Sequence, residues 1–201
     1  MQAHHNQIIS SQLYEYSKKL VRSAGLPFFI LTEKQQVGNT FGEKFSNAIA
    51  EQFEKGFQEV IAIGADCPFL TPRDLQQAVL GLKAGKAVIG PSKDGGIYLL
   101  GISKKQFEKT ALAGLNWETE FVLDQIKTLF EAQSSPILEL RTLVDLDSFS
   151  TLHSILHLSF HPFIKFVKGL RYFFFSCQVT LPFISRFRAY QVGLRAPPYS
   201  F

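Results

Sequence analysis

Four aspartates stand where an acid can do chemistry. Asp66 follows directly on the apolar run Val60-Ile61-Ala62-Ile63-Gly64, so a buried strand would hold it rigidly at its end. A hard cation such as Mg²⁺ or Mn²⁺ is typically bound by one or two carboxylates together with phosphate oxygens and water. An acid in that place suits such a role; it can equally cap a turn, with Pro68 fixing the turn. Far along the chain, Val144-Asp145-Leu146-Asp147-Ser148 carries two alternating acids on one side of an extended segment. Two loops each offering a carboxylate to one cation is a common way to hold a diphosphate-bound metal, while Asp147 also fits as a helix cap.

The fourth acid, Asp94, lies in Pro91-Ser92-Lys93-Asp94-Gly95-Gly96. Its carboxylate can accept from a substrate hydroxyl, and Lys93 can meet a phosphate. Gly95 and Gly96 let the backbone come close to a ligand. Asp-Gly between two strands is also a strong hairpin signal, and by itself the spacing favours the hairpin. Trp117, in Asn116-Trp117-Glu118-Thr119, is the single Trp and precedes a helical pattern. It can stack on a sugar or base, or close the core, the commoner role for a lone Trp.

Loops of this kind need a scaffold, and the chain alternates helical and strand patterns that supply one. Ile9, Leu13, Tyr16 and Leu20 share a helical face that Gly25 ends. Pro27 to Leu31 reads as a short strand. Thr40-Phe41-Gly42-Glu43 has capping-box spacing ahead of the stripe Phe41, Phe45, Ala48, Ile49 and Phe53. Thr71-Pro72 opens another helix with Pro at its first position. Strands are expected at 60–63, 87–89, 97–100 and 136–140, and a helix over about 118–130. Val60 to Ile63 is apolar on both faces, as a strand covered on both sides must be. The pattern predicts a three-layer α/β/α fold with a mostly parallel sheet, whose ligands bind beyond the carboxyl ends of the strands.

Composition sets the limits. Apolar residues make up 46% and charged residues 19%, which excludes a disordered chain. The start, Met1 to Asn6, is polar and does not read as a cleavable leader. Cys67 and Cys177 are too few for a disulfide framework, so a cytoplasmic location is expected. Cys67 is rejected as a nucleophile because the neighbouring acid would raise its pKa. The phosphate-cradling G-x-x-x-x-G-K-[ST] loop, the G-x-G-x-x-G fingerprint and the G-x-S-x-G elbow are all missing. Basic residues in the body are scattered, which argues against nucleic acid.

Charge divides the chain. Residues 1–150 hold 15 Lys/Arg and all 17 Asp/Glu, whereas residues 151–201 hold six Lys/Arg, no acid and nine of the 20 Phe. The expected division is a domain over 8–158 and an aromatic, basic extension over 159–201. The longest charge-free run there, Tyr172 to Ser185, is shorter than the roughly 20 residues that span a bilayer. The extension suits an interfacial segment at the inner membrane surface, with Lys165, Lys168, Arg171, Arg186 and Arg188 toward anionic head groups. It also suits an added packing layer, a homodimer interface or an unstructured end.

The segments Gln36–Phe45, IGADCPFLT, GPSKDGGIYLLGI, NWETEFVL and VDLDSFSTL, in this order, resemble the family catalogued as domain of unknown function 2064, over about Ile9 to Leu152. The resemblance implies a glycosyltransferase-A-like fold, similar to that of molybdenum cofactor guanylyltransferase and 2-phospholactate guanylyltransferase. By that resemblance Asp66 holds the divalent cation (Mg²⁺ or Mn²⁺) on the nucleotide, and Asp145 or Asp147 completes the metal site. The loop Asp94-Gly95-Gly96 then lines the acceptor or sugar side. Asp66 and Asp94 are the candidate catalytic residues, with Lys93, Gly95, Gly96, Trp117 and Thr119 on the substrate. The implied partner is a nucleotide-activated small molecule.

Two departures bear on these expectations. Relatives normally begin with a strand and a Gly- and Lys/Arg-containing loop that grips the nucleotide, and nothing before Gln12 reads as that strand. Glu118 stands where relatives more often have a small residue. The functions in competition are glycosyl transfer from a nucleotide sugar, a nucleotidyltransferase releasing pyrophosphate, and a degenerate, membrane-associated scaffold without catalysis.

Overall fold

The computed structural model of the chain describes residues 2–146, 164–165 and 193–195. Helix α1 (Gln2–Ser23) leads to β1 (Phe29–Leu31), a 3₁₀ turn and α2 (Phe41–Glu54). Then come β2 (Glu59–Ile63), α3 (Pro72–Lys83), β3 (Ala87–Pro91) and β4 (Ile97–Ser103). The short α4 (Lys109–Ala113), α5 (Val122–Ala132), β5 (Ile137–Glu139) and β6 (Gly193–Arg195) follow.

The sheet order is β1-β6-β2-β4-β3-β5. β4 is antiparallel to both β2 and β3, β6 is antiparallel to β1 and β2, and β3 pairs parallel with β5. Strands β1, β2, β3 and β5 therefore run in one direction, with β4 and β6 against them. β2, β3 and β5 release their following loops at the same end of the sheet.

Alternation along β2 shows how the layers form. Ile61 and Ile63 enter a core with Leu20, Val21, Leu75, Ala78 and Leu82 of α1 and α3. Val60 and Ala62 enter the opposite core with Ile49 and Phe53 of α2 and Ile126 and Phe130 of α5. Fully burying a side chain such as Ile61 or Ile89 stabilises the fold by about 2–3 kcal/mol. The helix starts follow their capping residues. Thr40 accepts from the Glu43 amide while Glu43 reaches back, and Thr71 and Asp74 repeat the arrangement at α3.

Helix α5 begins at Val122, four residues later than the sequence pattern suggests. Glu118 adopts φ +63°, which breaks helical continuity, and the Thr119 hydroxyl donates to the Asn116 carbonyl at 2.6 Å, forming a turn instead. The helix α4 is an addition that apolar periodicity did not show, being only five residues long. Asp147 and nearly all of the 159–201 extension lie outside the described residues. Among the described residues, no helix is long and apolar enough to cross a membrane.

Candidate functional site

Asp66 is placed by β2. The strand alignment continues one residue past its end, where the Gly64 amide donates to the Tyr98 carbonyl at 2.9 Å. The Asp66 carboxylate then folds back over Gly64, so close that a Cβ on Gly64 would lie 2.5 Å from Asp66 Oδ1. Helix α1 braces this loop, with Ser17 Oγ and Tyr16 Oη donating to the Ala65 and Leu70 carbonyls, each at 3.4 Å.

Asp94 sits in the turn between β3 and β4. Ser92 Oγ donates to its Oδ1, and the Gly96 amide donates to the same oxygen at 3.0 Å. Gly95 has φ +88°, and a Cβ there would stand 2.1 Å from the Glu120 carbonyl oxygen. Its glycine is thus required by contact with the chain itself. The Leu123 amide donates to the Gly95 carbonyl at 3.0 Å, tying this turn to the start of α5.

Asp145 arrives from the segment after β5. That segment runs beside β3: the Leu143 amide donates to the Pro91 carbonyl and the Lys93 amide to the Leu143 carbonyl, both at 3.0 Å. One residue beyond Asp145, the Leu146 amide donates to the Asp66 carbonyl at 2.9 Å. The loops after β2, β3 and β5 thus meet at one end of the sheet.

The electrostatics register this convergence. Burial, then the charges of Asp66 and Asp94, push the Asp145 carboxyl up to about 7, against hydrogen bonds from its own amide and Ser92. The Cys67 thiol is pushed up by burial and by Asp66 and Asp145, which keeps it protonated and inert. Among the described residues, no group of three or more His, Cys, Asp or Glu is gathered to hold a metal by side chains alone. A set of one or two carboxylates still fits a cation that keeps phosphate oxygens and water, and mutual repulsion among aspartates is what such a cation relieves.

The other sequence candidates fall around this cluster. Lys93 is exposed on the turn, and Gly96 lies beside the Asp94 carboxylate. Trp117 packs edge-on to Phe41 at 5.1 Å and tilted to Phe45 at 4.7 Å, and its indole N–H donates to the Leu112 carbonyl at 2.8 Å. Its ring and its donor are therefore engaged with α2 and α4. Thr119 is exposed and its hydroxyl is used in the turn before α5. The strain at Glu118 in that same turn can be tested. Glu118→Gly is expected to raise stability by about 0.5–1 kcal/mol in urea denaturation, because glycine removes the left-handed penalty at some entropic cost.

Two features escaped the sequence reading. Ser92, only 4% exposed, joins Asp94 and Asp145; its signal is the Ser-x-Asp spacing ahead of two glycines. The second is the Asp74–Arg141 ion pair, at 2.8 Å. Burial acts to raise the Asp74 pKa, but hydrogen bonds from Arg141 and Thr71 outweigh it and leave the carboxyl below its ordinary value. The Thr71-to-Asp74 spacing announces a cap, whereas nothing in the sequence announces a partner 67 residues away.

The family DUF2064, described as uncharacterized protein conserved in bacteria, matches residues 19–119, half of the chain. The chain is a DUF2064 protein. No curated protein matches it in sequence. Among solved structures it is similar to a Desulfovibrio desulfuricans G20 protein provisionally named a nucleotide-diphospho-sugar transferase, with TM-score 0.61 and 22% identity. The likeness covers 72% of this chain and 65% of that one, so this DUF2064 chain spans just under two thirds of its neighbour's length. At that identity the likeness shows the fold alone, which in this chain is a mixed central sheet with helices on both faces. The DUF2064 family match, over residues 19–119, includes Asp66 and Asp94 and ends ahead of Asp145.

Proposed function

We propose that this protein is a divalent-cation-dependent transferase acting on a nucleotide-activated small molecule, with glycosyl transfer from a nucleotide sugar as the reaction. The observation that carries this reading is the meeting of Asp66, Asp94 and Asp145 at the one end of the sheet where three co-directed strands release their loops.

In this reading Asp66 and Asp145 hold the cation, which when bound supplies positive charge to the diphosphate leaving group. Asp66 is braced by Gly64 and α1, and Asp145 is held at a fixed distance from it through the Leu146 amide. Asp94, oriented by Ser92 and the Gly96 amide, accepts from a hydroxyl of the sugar or acceptor. Lys93 on the same turn faces solvent, where it can meet phosphate.

Thermal denaturation against nucleoside diphosphate sugars and nucleoside triphosphates, each with and without Mn²⁺, tests the reading. A ligand at about 100 times its dissociation constant adds roughly 2.7 kcal/mol of stability. A Mn²⁺-dependent shift with a nucleotide sugar that disappears in Asp66→Ala is the expected result. A shift with triphosphates alone would favour nucleotidyl transfer, and no shift with any ligand in a cooperatively melting protein would overturn the proposal.

A further inference from the structure

The Asp74–Arg141 pair joins the two segments that carry Asp66 and Asp145, although neither residue is at the acidic cluster. Asp74 lies in the first turn of α3, at the end of the loop that starts with Asp66. Its side chain is 4% exposed, and its Oδ2 already accepts from the Thr71 amide at 2.8 Å and the Thr71 hydroxyl at 2.6 Å. With the Asp74 amide donating to the Thr71 hydroxyl at 3.4 Å, the capping box is complete without any partner for Oδ1. Arg141 adds a planar fork: Nε donates to Asp74 Oδ1 at 2.8 Å and a terminal nitrogen to Oδ2 at 2.9 Å. The same terminal nitrogen donates to the Phe69 carbonyl at 2.9 Å, three residues from Asp66.

Arg141 is also held by its main chain. The hydroxyl of the buried Tyr98 donates to the Arg141 carbonyl at 2.9 Å, which fixes the residue over β4. Segment 141–146 is therefore pinned to the 66–74 loop at both of its ends, by the arginine fork at one and by the Leu146-to-Asp66 bond at the other. Cys67 Sγ approaches the Val144 carbonyl at 3.8 Å between them. Asp145 rides on the pinned stretch. A bidentate guanidinium–carboxylate pair fixes both distance and plane, which a lysine ammonium does not.

We infer that Asp74 and Arg141 form a positioning clasp, which sets the separation of Asp66 and Asp145 so that both carboxylates reach one divalent cation. The cation part rests on the functional reading above; the clasp itself does not.

The test uses the full chain with Arg141→Met, which keeps an apolar stem, and Arg141→Lys, which keeps the charge and safeguards the test if the first variant folds poorly. Amide hydrogen exchange is followed at Leu146 against Val60 and Ile61 in β2, and Mn²⁺ alone is titrated by the spin-resonance signal of the free ion. Leu146 is expected to exchange at least tenfold faster in either variant while Val60 and Ile61 hold their rates, and Mn²⁺ affinity is expected to fall at least tenfold. Leu146 exchange at the wild-type rate in a folded variant overturns the clasp. Faster exchange with unchanged Mn²⁺ affinity overturns the positioning role and leaves a structural ion pair. If the wild-type protein itself binds no Mn²⁺, the functional reading fails and so does the cation part of this inference, while Leu146 exchange still decides the clasp.

Discussion

Gly95→Ala is expected to destabilise the protein by about 3 kcal/mol, a large loss for an exposed turn. Two costs add. Gly95 has φ +88°, outside the region that L side chains favour, which costs an alanine about 1–2 kcal/mol. The new methyl would also stand 2.1 Å from the Glu120 carbonyl oxygen, a backbone atom that cannot rotate away. Relief requires the turn and the start of α5 to separate, which would break the bond from the Leu123 amide to the Gly95 carbonyl. Chemical denaturation measures the loss, and a change under about 1 kcal/mol would mean that the two loops are not packed as described. Since Asp94 adjoins this glycine, any variant that still folds should bind ligand less well than its stability alone explains.

That glycine also shows what the sequence could and could not disclose. Asp-Gly-Gly between two apolar runs predicts a hairpin, because local backbone preferences act over four residues, and β3 and β4 do form one. The partner that makes glycine obligatory, Glu120, is supplied by a turn some 25 residues later, and no local preference encodes that contact. The same division holds elsewhere. The capping box at Thr40, the helix start at Thr71-Pro72 and the doubly buried Val60–Ile63 strand were legible, since spacing and two-sided apolarity are local signals. The antiparallel course of β4 followed from its hairpin, but that of β6 had no local sign. Trp117 had two readings in sequence, and only the positions of Phe41, Phe45 and the Leu112 carbonyl show how its ring and N–H are engaged. Asp66 could be singled out from the strand before it. Its proximity to Asp145, and the arginine fork between Asp74 and Arg141, depend on chain segments more than 60 residues apart.

The burial of Asp145, together with the nearby charges of Asp66 and Asp94, gives the protein a definite dependence on pH. Asp145 has a folded-state pKa near 7, against about 4 in an unfolded chain, so the folded state holds an extra proton between those values. Stability contributed by that proton is full below pH 4 and is lost as pH rises through 7. Taken at face value the shift is worth about 4 kcal/mol, and solvent access to the partly exposed side chain reduces this to about 2 kcal/mol. The cation-free protein is therefore expected to lose about 2 kcal/mol of stability between pH 4 and pH 8 through this group alone. In Asp145→Asn that loss should vanish, because an amide keeps the shape of the carboxyl without titrating. At pH 8 the variant should melt about 4–8 °C above the wild type, while at pH 4 the two should agree. A divalent cation acts on the same charge with the opposite sign. Below pH 7 it must displace the proton, so its affinity for the wild type should fall about tenfold per pH unit, and Asp145→Asn should bind it weakly at every pH. Melting curves from pH 4 to 8, with and without Mn²⁺, measure both effects together. Equal pH slopes in variant and wild type would show that Asp145 is ionised well below 7, which would mean that it is neither buried nor close to Asp66 and Asp94 as described and would remove the electrostatic reason for a cation among them.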